Sequence, residues 1–157
     1  MKKQKICGFV IFCEIENNPF VLMLRRSSEV SEPLCWSFPM GHADRHEVDQ
    51  FEKTKSLIEL LKVAQREAIE ETSVDFFKIG DILPTGIVYS SKKLDLYLFV
   101  VKANNTERGK INKQIKLNFE NDDYAWIRLD EIRNLSFTHS KMNDLIDSIS
   151  GVVYENC

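Results

Sequence analysis

The sequence predicts one domain with an α/β sandwich fold. Three features indicate it: paired apolar runs near the N-terminus, a periodic helical segment in the middle of the chain, and further strand-like runs before a second helical segment. The chain has 157 residues, 43% of them apolar and 29% charged, which is the size and composition of one globular domain. No repeat or low-complexity linker divides it, so we expect a single domain over residues 1–157.

The charge balance excludes several classes of partner. Lys and Arg number 21 and Asp and Glu 24, which gives a net charge of −3. Such a chain offers no positive field for duplex nucleic acid or an anionic membrane, and no stretch approaches the roughly 20 apolar residues of a membrane span. The four cysteines lack zinc-type spacing, so we expect reduced thiols in a cytoplasmic protein. The oligomeric state stays open.

The first third of the chain predicts a β-hairpin followed by an irregular loop. Residues 5–16 and 20–25 are rich in Val, Ile, Phe and Leu, and the turn-forming residues 16–19 (ENNP) join them. The segment 36–42 (WSFPMGH) comes later, and its Pro and Gly interrupt any regular element.

The middle of the chain predicts a helix over residues 56–72. Its apolar residues recur every three or four positions and share one face: Leu57, Leu61, Ala64 and Ala68. The remaining third predicts strands at 82–90 and 94–102, a basic polar loop at 107–116, a short strand at 124–127 and a helix around 138–150. Thr138 or Ser140 offers that last helix an N-cap.

The central helix carries three carboxylates beside its apolar face. At about 100° per residue, Glu67, Glu70 and Glu71 lie within one arc. Carboxylates spaced in this way repel one another, and a hard cation such as Mg²⁺ or Mn²⁺ would relieve that repulsion. The alternative is a solvated helix surface on which Arg66 pairs with Glu70 four residues later.

The residues around this acidic arc resemble the Nudix box of the Nudix hydrolase family. That box reads Gly, five residues, Glu, seven residues, Arg-Glu-apolar-any-Glu-Glu-any-Gly-apolar. Here Gly41, five residues and Glu47 precede residues 66–71 (REAIEE), and a Trp-x-Phe-Pro-x-Gly-His segment leads into them. The resemblance implies a Nudix-type α/β/α sandwich with a mixed β-sheet.

The chain departs from the family pattern in three places. Eighteen residues separate Glu47 from Arg66 where the family has seven, so about 11 residues are inserted around positions 48–58. Either a longer helix or a longer loop before the helix would accommodate them. Ser73 replaces the glycine that ends the family's helix, and Met40 stands where family members carry Gly or Lys.

The resemblance implies hydrolysis of a diphosphate linkage in a small nucleotide substrate, with Mg²⁺ (or Mn²⁺) as cofactor. It assigns the metal ions to Glu67, Glu70 and Glu71, and it gives Arg66 the role of orienting these carboxylates. The family often draws a further acidic group from a later loop, six residues before a tryptophan. Glu120 occupies that position before Trp126, as a further metal ligand or as the base.

The segment 36–42 looks most like the branch that cleaves diadenosine tetraphosphate asymmetrically to ATP and AMP. That resemblance gives Gly41 and His42 contacts with the phosphates or metal, and it offers Tyr89 and Tyr124 as stacking partners for adenine. Met40 in place of the branch's Lys keeps a nucleoside triphosphate pyrophosphatase as an alternative. The insertion and Ser73 keep a nucleotide-binding module of weak activity as another.

Overall fold

The computed structural model describes residues 3–137 and 142–157. In this part of the chain, eight strands form one sheet. The strands are β1 (Gln4–Ile15), β2 (Asn18–Arg26), β3 (Trp36–Ser37), β4 (Met40–His42), β5 (Asp81–Ile82), β6 (Ile87–Ser90), β7 (Leu94–Lys102) and β8 (Asn121–Arg128). The helices are α1 (Arg45–Thr54), α2 (Leu57–Thr72), α3 (Asn105–Gln114) and α4 (Met142–Glu155), with a 3₁₀ helix at Leu129–Asn134.

Strand β1 contributes to two hydrophobic cores because its side chains alternate between the faces of the sheet. Ile6 and Val10 pack into the core that includes α4 and the 3₁₀ helix. Cys7 and Phe9 pack into the opposite core, which includes α2 and the buried Ile111 of α3. The sheet is mixed, because β1 and β7 are parallel and the other pairs are antiparallel. The predicted α/β/α sandwich with a mixed sheet is therefore confirmed.

One edge of β1 is shared by two different strands. Its first half pairs with β4, where Cys7 lies opposite Gly41, and its second half pairs with β2, where Phe12 lies opposite Val21. The sheet therefore opens between β4 and β2. This opening holds β4 beside α2 and leaves room there for a cavity.

The N-terminal hairpin and the central helix agree with the sequence predictions. Glu16 and Asn17 form the turn, both with left-handed backbone angles. Helix α2 starts after Ser56, whose side chain accepts a hydrogen bond from the Ile58 N–H. Its buried face differs from the prediction in the first two turns: Leu57 is 55% exposed and Leu61 is only partly buried, whereas Leu60 and Val63 are fully buried. Ala64 and Ala68 are buried, as predicted.

Two predictions for the second half were wrong. The basic segment 107–116 is largely helical, because Asn104 and Glu107 form a reciprocal capping box that starts α3. The run at 82–90 is divided between β5 and β6, which pair with different parts of β7. The proposed N-caps of the last helix, Thr138 and Ser140, lie outside the described residues.

The insertion forms a helix of its own, so neither a continuous extension of α2 nor a plain loop describes it. Asp44 and Glu47 start α1 with a capping box, and Lys55 ends it with a left-handed φ of 54°. Ser56 then starts α2, so the two helices are separate. Ser73, at the family's glycine position, also has a left-handed φ, of 65°.

All four cysteines are free thiols, as expected. Within the described residues, no helix has both the length and the apolar character needed to cross a membrane.

Candidate active site

A cavity of about 490 Å³ lies at the opening of the sheet, between α2, β4 and the segment before β8. The structure brings most of the predicted site residues to it. Its lining includes Gly41, His42, Glu67, Glu70, Glu71 and Glu120. Residues far apart in sequence therefore meet around one concave surface, which carries these four carboxylates and that of Glu32.

Glu71 is the deepest of these carboxylates. Its side chain is buried, and its two oxygens accept hydrogen bonds from the Met40 N–H at 3.0 Å and from Asn121 Nδ2 at 3.2 Å. Burial, followed by the negative charges of Glu67 and Glu120, raises the pKa of Glu71 to about 8, although both hydrogen bonds oppose the rise. Without a cation, burial and the neighbouring carboxylates therefore disfavour the ionised form of Glu71.

Glu67 lies nearer the opening and experiences the same field. Burial raises its pKa most, and the charges of Glu70 and Glu120 add to the rise, whereas Arg66 lowers it. The influence of Glu120 on both Glu67 and Glu71 shows that this loop residue lies close to the helix carboxylates. Glu70 is half exposed, on the solvent side of the arc.

Gly41 lets β4 pass directly over the Glu67 carboxylate. A Cβ atom built on Gly41 would lie 2.1 Å from Glu67 Oε2 and 2.2 Å from its Cδ. Any other residue would therefore displace the carboxylate from this position. Gly41 does not have a left-handed backbone angle. Glycine is therefore needed here for the close approach of the strand to Glu67, and not for its backbone conformation.

Arg66 organises the carboxylates around it. Its Nη1 donates to Glu67 at 2.9 Å and to Glu70 at 3.1 Å, and its Nη2 donates to the carbonyl oxygen of His42 at 3.2 Å. Both oxygens of Glu47 accept from the same guanidinium, at 2.6 and 3.0 Å. The first turn of α1 thus delivers Glu47 to Arg66 despite the insertion between them. These pairs raise the pKa of Arg66 and keep it charged.

The donor set suits a hard divalent cation. Carboxylate oxygens are the ligands that Mg²⁺ and Mn²⁺ prefer, and a bound cation would offset the burial that disfavours the charged forms of Glu67 and Glu71. In residues 3–137 and 142–157, no three acidic, His or Cys side chains converge on one point, since Glu67 and Glu70 are turned towards Arg66. The residues that could hold a cation are Glu67, Glu70, Glu71 and Glu120.

The two predicted stacking residues do not line this cavity. Tyr89 is half buried on the face of the sheet that also carries Ile6. Tyr124 lies on the opposite face, where it packs beside α3, and its hydroxyl donates to the carbonyl oxygen of Asn112 at 3.5 Å. Successive side chains along β8 point to opposite faces of the sheet, so the position of Tyr124 in the strand decides on which face it lies.

Sequence reasoning missed several polar residues that line the cavity, among them Arg26, Ser31, Glu32 and Asn121. Asn121 is buried and holds Glu71, and its position directly after Glu120 was the available signal. Arg26 lines the cavity from the end of β2, where it pairs with Asn121. Its guanidinium is held by the carbonyl oxygen of Ser31 at 2.8 Å. Arg26 thus brings a positively charged side chain to the cavity, whereas Met40, at the position where the family branch has Lys, does not.

Comparisons with known proteins agree with this fold and site. No protein-family model matches the chain. An 8-oxo-dGTP diphosphatase of Buchnera aphidicola is 30% identical over 113 residues, which cover 70% of this chain and 76% of the relative. Among solved structures, a binary complex of a C. elegans Ap4A hydrolase has a TM-score of 0.68 at 20% identity, covering 97% of this chain and 98% of that one.

A further similar structure is that of RenU, a Nudix hydrolase from M. smegmatis, with a TM-score of 0.71 at 14% identity over 98% of this chain and 87% of that one. The Buchnera relative is similar enough in sequence to establish the family, and the structures establish the fold. The chain belongs to the Nudix hydrolases, and it is a pyrophosphatase of that family.

Proposed function

We propose that this protein hydrolyses diadenosine tetraphosphate asymmetrically to ATP and AMP, in a reaction that depends on Mg²⁺ or Mn²⁺. The observation that carries the metal-dependent chemistry is the convergence of Glu67, Glu70, Glu71 and Glu120 on one cavity, with Gly41 pressed against Glu67. A cavity so rich in carboxylates would repel a polyphosphate unless cations lay between them. Bound divalent cations would neutralise the phosphates and acidify a coordinated water.

The proposal gives a role to each residue around the acidic arc. Glu67, Glu70 and Glu71 hold the cations, and Arg66 positions Glu67 and Glu70 through its hydrogen bonds. The hydrogen bonds from the Met40 N–H and Asn121 fix both oxygens of Glu71.

Glu120 is the proposed base or additional metal ligand. Its main chain is anchored, because its carbonyl oxygen accepts from the Ser27 N–H at 2.8 Å. Within the described residues, its carboxylate makes no ion pair or side-chain hydrogen bond. An anchored backbone with an unpaired carboxylate at the cavity wall is suited to receiving a proton from water.

The segment 36–42 and two aromatic side chains support a dinucleoside polyphosphate as substrate. The segment has the spacing of the diadenosine tetraphosphate branch, and it forms β3 and β4 at the cavity. Phe119, next to Glu120, is 78% exposed and offers a face for stacking a base. Tyr89 is a second candidate, since its side chain lies on the same face of the sheet as Ile6, which lines the cavity.

A second candidate function is the pyrophosphatase reaction on a nucleoside triphosphate, with release of pyrophosphate. The 30% identity to an 8-oxo-dGTP diphosphatase favours it, and so does Met40 at the position where the tetraphosphate branch has Lys. Both reactions would use the same carboxylates on a diphosphate linkage. The two reactions differ in the part of the substrate that extends beyond the cleaved diphosphate linkage.

Product analysis distinguishes these functions. The purified protein is incubated with Mg²⁺ and, separately, with diadenosine tetraphosphate, nucleoside triphosphates including 8-oxo-dGTP, ADP-ribose and a 5′-triphosphorylated RNA. ATP plus AMP from the first substrate supports the main proposal, whereas pyrophosphate from the triphosphates alone supports the second. Nucleotide binding without turnover would contradict both and leave a binding module.

Substitution of the carboxylates tests the site itself. Glu70→Gln and Glu71→Gln should each lower kcat by at least about 100-fold without lowering the melting temperature. Glu59→Gln is the matched control, because Glu59 lies about three turns before Glu70 and Glu71 on α2 and pairs with Lys62 outside the cavity. Full activity in the Glu70 and Glu71 variants would contradict the metal assignment.

A further inference from the structure

A second cavity, of about 540 Å³, adjoins the candidate active site. Helix α1 forms one wall of it through Arg45, Val48 and Asp49. The chain before and within the start of β1 forms the facing wall through Lys3 and Lys5. The insertion around 48–58 supplies Val48 and Asp49 of this wall, whereas Arg45 precedes it, between Gly41 and Glu47 of the box.

His42 connects the two cavities, because it lines both of them. It is the last residue of β4 and follows Gly41, which lies against Glu67. The two cavities therefore share a boundary at His42.

The second cavity carries an excess of positive charge. Of its eight lining residues, three are Lys or Arg and only Asp49 is acidic. Lys3 and Lys5 are paired, both with Asp95, at 3.2 and 3.0 Å, and Lys5 also with Glu52 at 4.0 Å. Arg45 is exposed and, in the described part of the chain, makes no ion pair or side-chain hydrogen bond. Its five donors are available to a ligand.

Lys5 keeps its charge although its side chain is buried. Burial alone would lower its pKa, but the hydrogen bond to Asp95 and the nearby groups Tyr97 and Glu52 raise the pKa above the ordinary value. Its ammonium also lies 5.2 Å from the ring centre of Phe51 on α1. A fixed, protonated lysine thus stands at the base of the cavity wall.

The two cavities have opposite chemistry. The first is lined mainly by carboxylates, which would meet phosphate only through cations. The second offers the unpaired guanidinium of Arg45, which can meet phosphate directly, beside the paired ammonium groups of Lys3 and Lys5. We propose that the second cavity binds the distal phosphates of a substrate whose phosphate chain extends beyond the linkage that is cleaved. This inference rests on the proposed function, and it assigns the first turn of α1 a role in selecting long polyphosphate substrates.

Binding of inorganic tripolyphosphate tests the cavity without catalysis. Isothermal titration of the protein in EDTA at low ionic strength should show binding, because without cations the carboxylate cavity repels the anion. Arg45→Gln should weaken this binding at least about fivefold, and Arg45→Lys should weaken it less. Lys53→Gln is the matched control, because it removes the same charge from an exposed position on α1 outside the cavity.

The inference is overturned if the unmodified protein does not bind tripolyphosphate under these conditions. It is equally overturned if Arg45→Gln and Lys53→Gln have the same effect, because binding would then reflect the overall charge of α1.

Steady-state kinetics test the role in substrate selection. Arg45→Gln should raise KM for diadenosine tetraphosphate about fivefold or more and leave KM for ADP-ribose, which has two phosphates, within about twofold. An equal change for both substrates would overturn the inference. If the protein cleaves neither substrate, the proposed function fails, but the tripolyphosphate titration still decides the second cavity.

Discussion

Substitution of Gly41 by alanine tests how the strand and the helix share space at the site. The new Cβ would lie 2.1 Å from Glu67 Oε2, and an ordinary contact needs at least 3.4 Å. The carboxylate must therefore retreat by about 1.3 Å. A misplacement of about 1 Å in a catalytic group costs on the order of 100-fold in rate, so we expect kcat/KM to fall about 100-fold.

Stability should change little in this variant. The clashing atoms are the far end of a flexible side chain, and Glu67 can rotate towards solvent without moving the backbone. Gly8→Ala provides the contrast, because its Cβ would lie 2.4 Å from the Pro39 carbonyl oxygen, which belongs to the backbone. We expect Gly8→Ala to lower the melting temperature strongly and Gly41→Ala to leave it nearly unchanged. Gly109→Ala meets nothing within 4 Å and lies inside α3, so it is the control without a clash, and we expect it to keep or slightly raise the melting temperature.

A double-mutant cycle identifies the atom responsible. Glu67→Asp shortens the side chain by one methylene and withdraws the carboxylate from Gly41. In that background, Gly41→Ala should cost less than about tenfold in kcat/KM, so the two losses should not be additive. Additive losses, or full activity of Gly41→Ala alone, would refute the reasoning. So would a loss of activity that merely follows unfolding in circular dichroism.

Three further predictions follow from burial and backbone geometry. Because the folded-state pKa of Glu71 is raised from 4.5 to about 8, the folded state binds more protons than the unfolded state between these values. The melting temperature of the metal-free protein should therefore fall as pH rises from about 5 to 8, and Glu71→Gln should flatten that slope. Ser73→Gly should raise the free energy of unfolding by up to about 1 kcal/mol in urea titrations, because Ser73 has a φ of 65°. Arg66→Lys should lower kcat at least about tenfold, since one ammonium cannot hold Glu47, Glu67 and Glu70 together.

Each of these has a clear opposing result. Glu71→Gln with an undiminished pH slope would place the titration on another group. No gain from Ser73→Gly would mean that the hydrogen bond from Ser73 Oγ to the Lys116 carbonyl oxygen offsets the backbone strain. A substantial pH-independent loss of melting temperature in Arg66→Lys would assign that residue a structural role, whereas unchanged kcat would remove it from the site.

The insertion shows where local sequence signals were sufficient and where they were not. Asp44, Glu47 and Ser56 are all ordinary capping residues, and they start α1 and α2 as separate helices. The helical period of α2 was visible in the sequence because it depends only on residues three and four apart. The same local logic, overlooked at Asn104 and Glu107, would have predicted α3 in place of a loop.

Contacts between distant segments were beyond that logic. Glu47 meets Arg66 because α1 folds back on α2, and no spacing rule gives the path of an inserted segment. Tyr124 was expected near a base, but its position in β8 directs it to the opposite face. The face on which the side chain of Tyr124 lies can be predicted only once the register between β8 and β2 is known.

The sequence by itself determined the family and the acidic arc, because both depend on short-range spacing. It placed Glu67, Glu70 and Glu71 on one side of one helix, next to residues that fill the core. Only the tertiary structure decided their chemistry. The sheet opening buries Glu71 and brings Glu120 to it, while β4 presses Gly41 on Glu67. Burial and the charge of neighbours set a pKa, and both arise only when segments distant in sequence pack together.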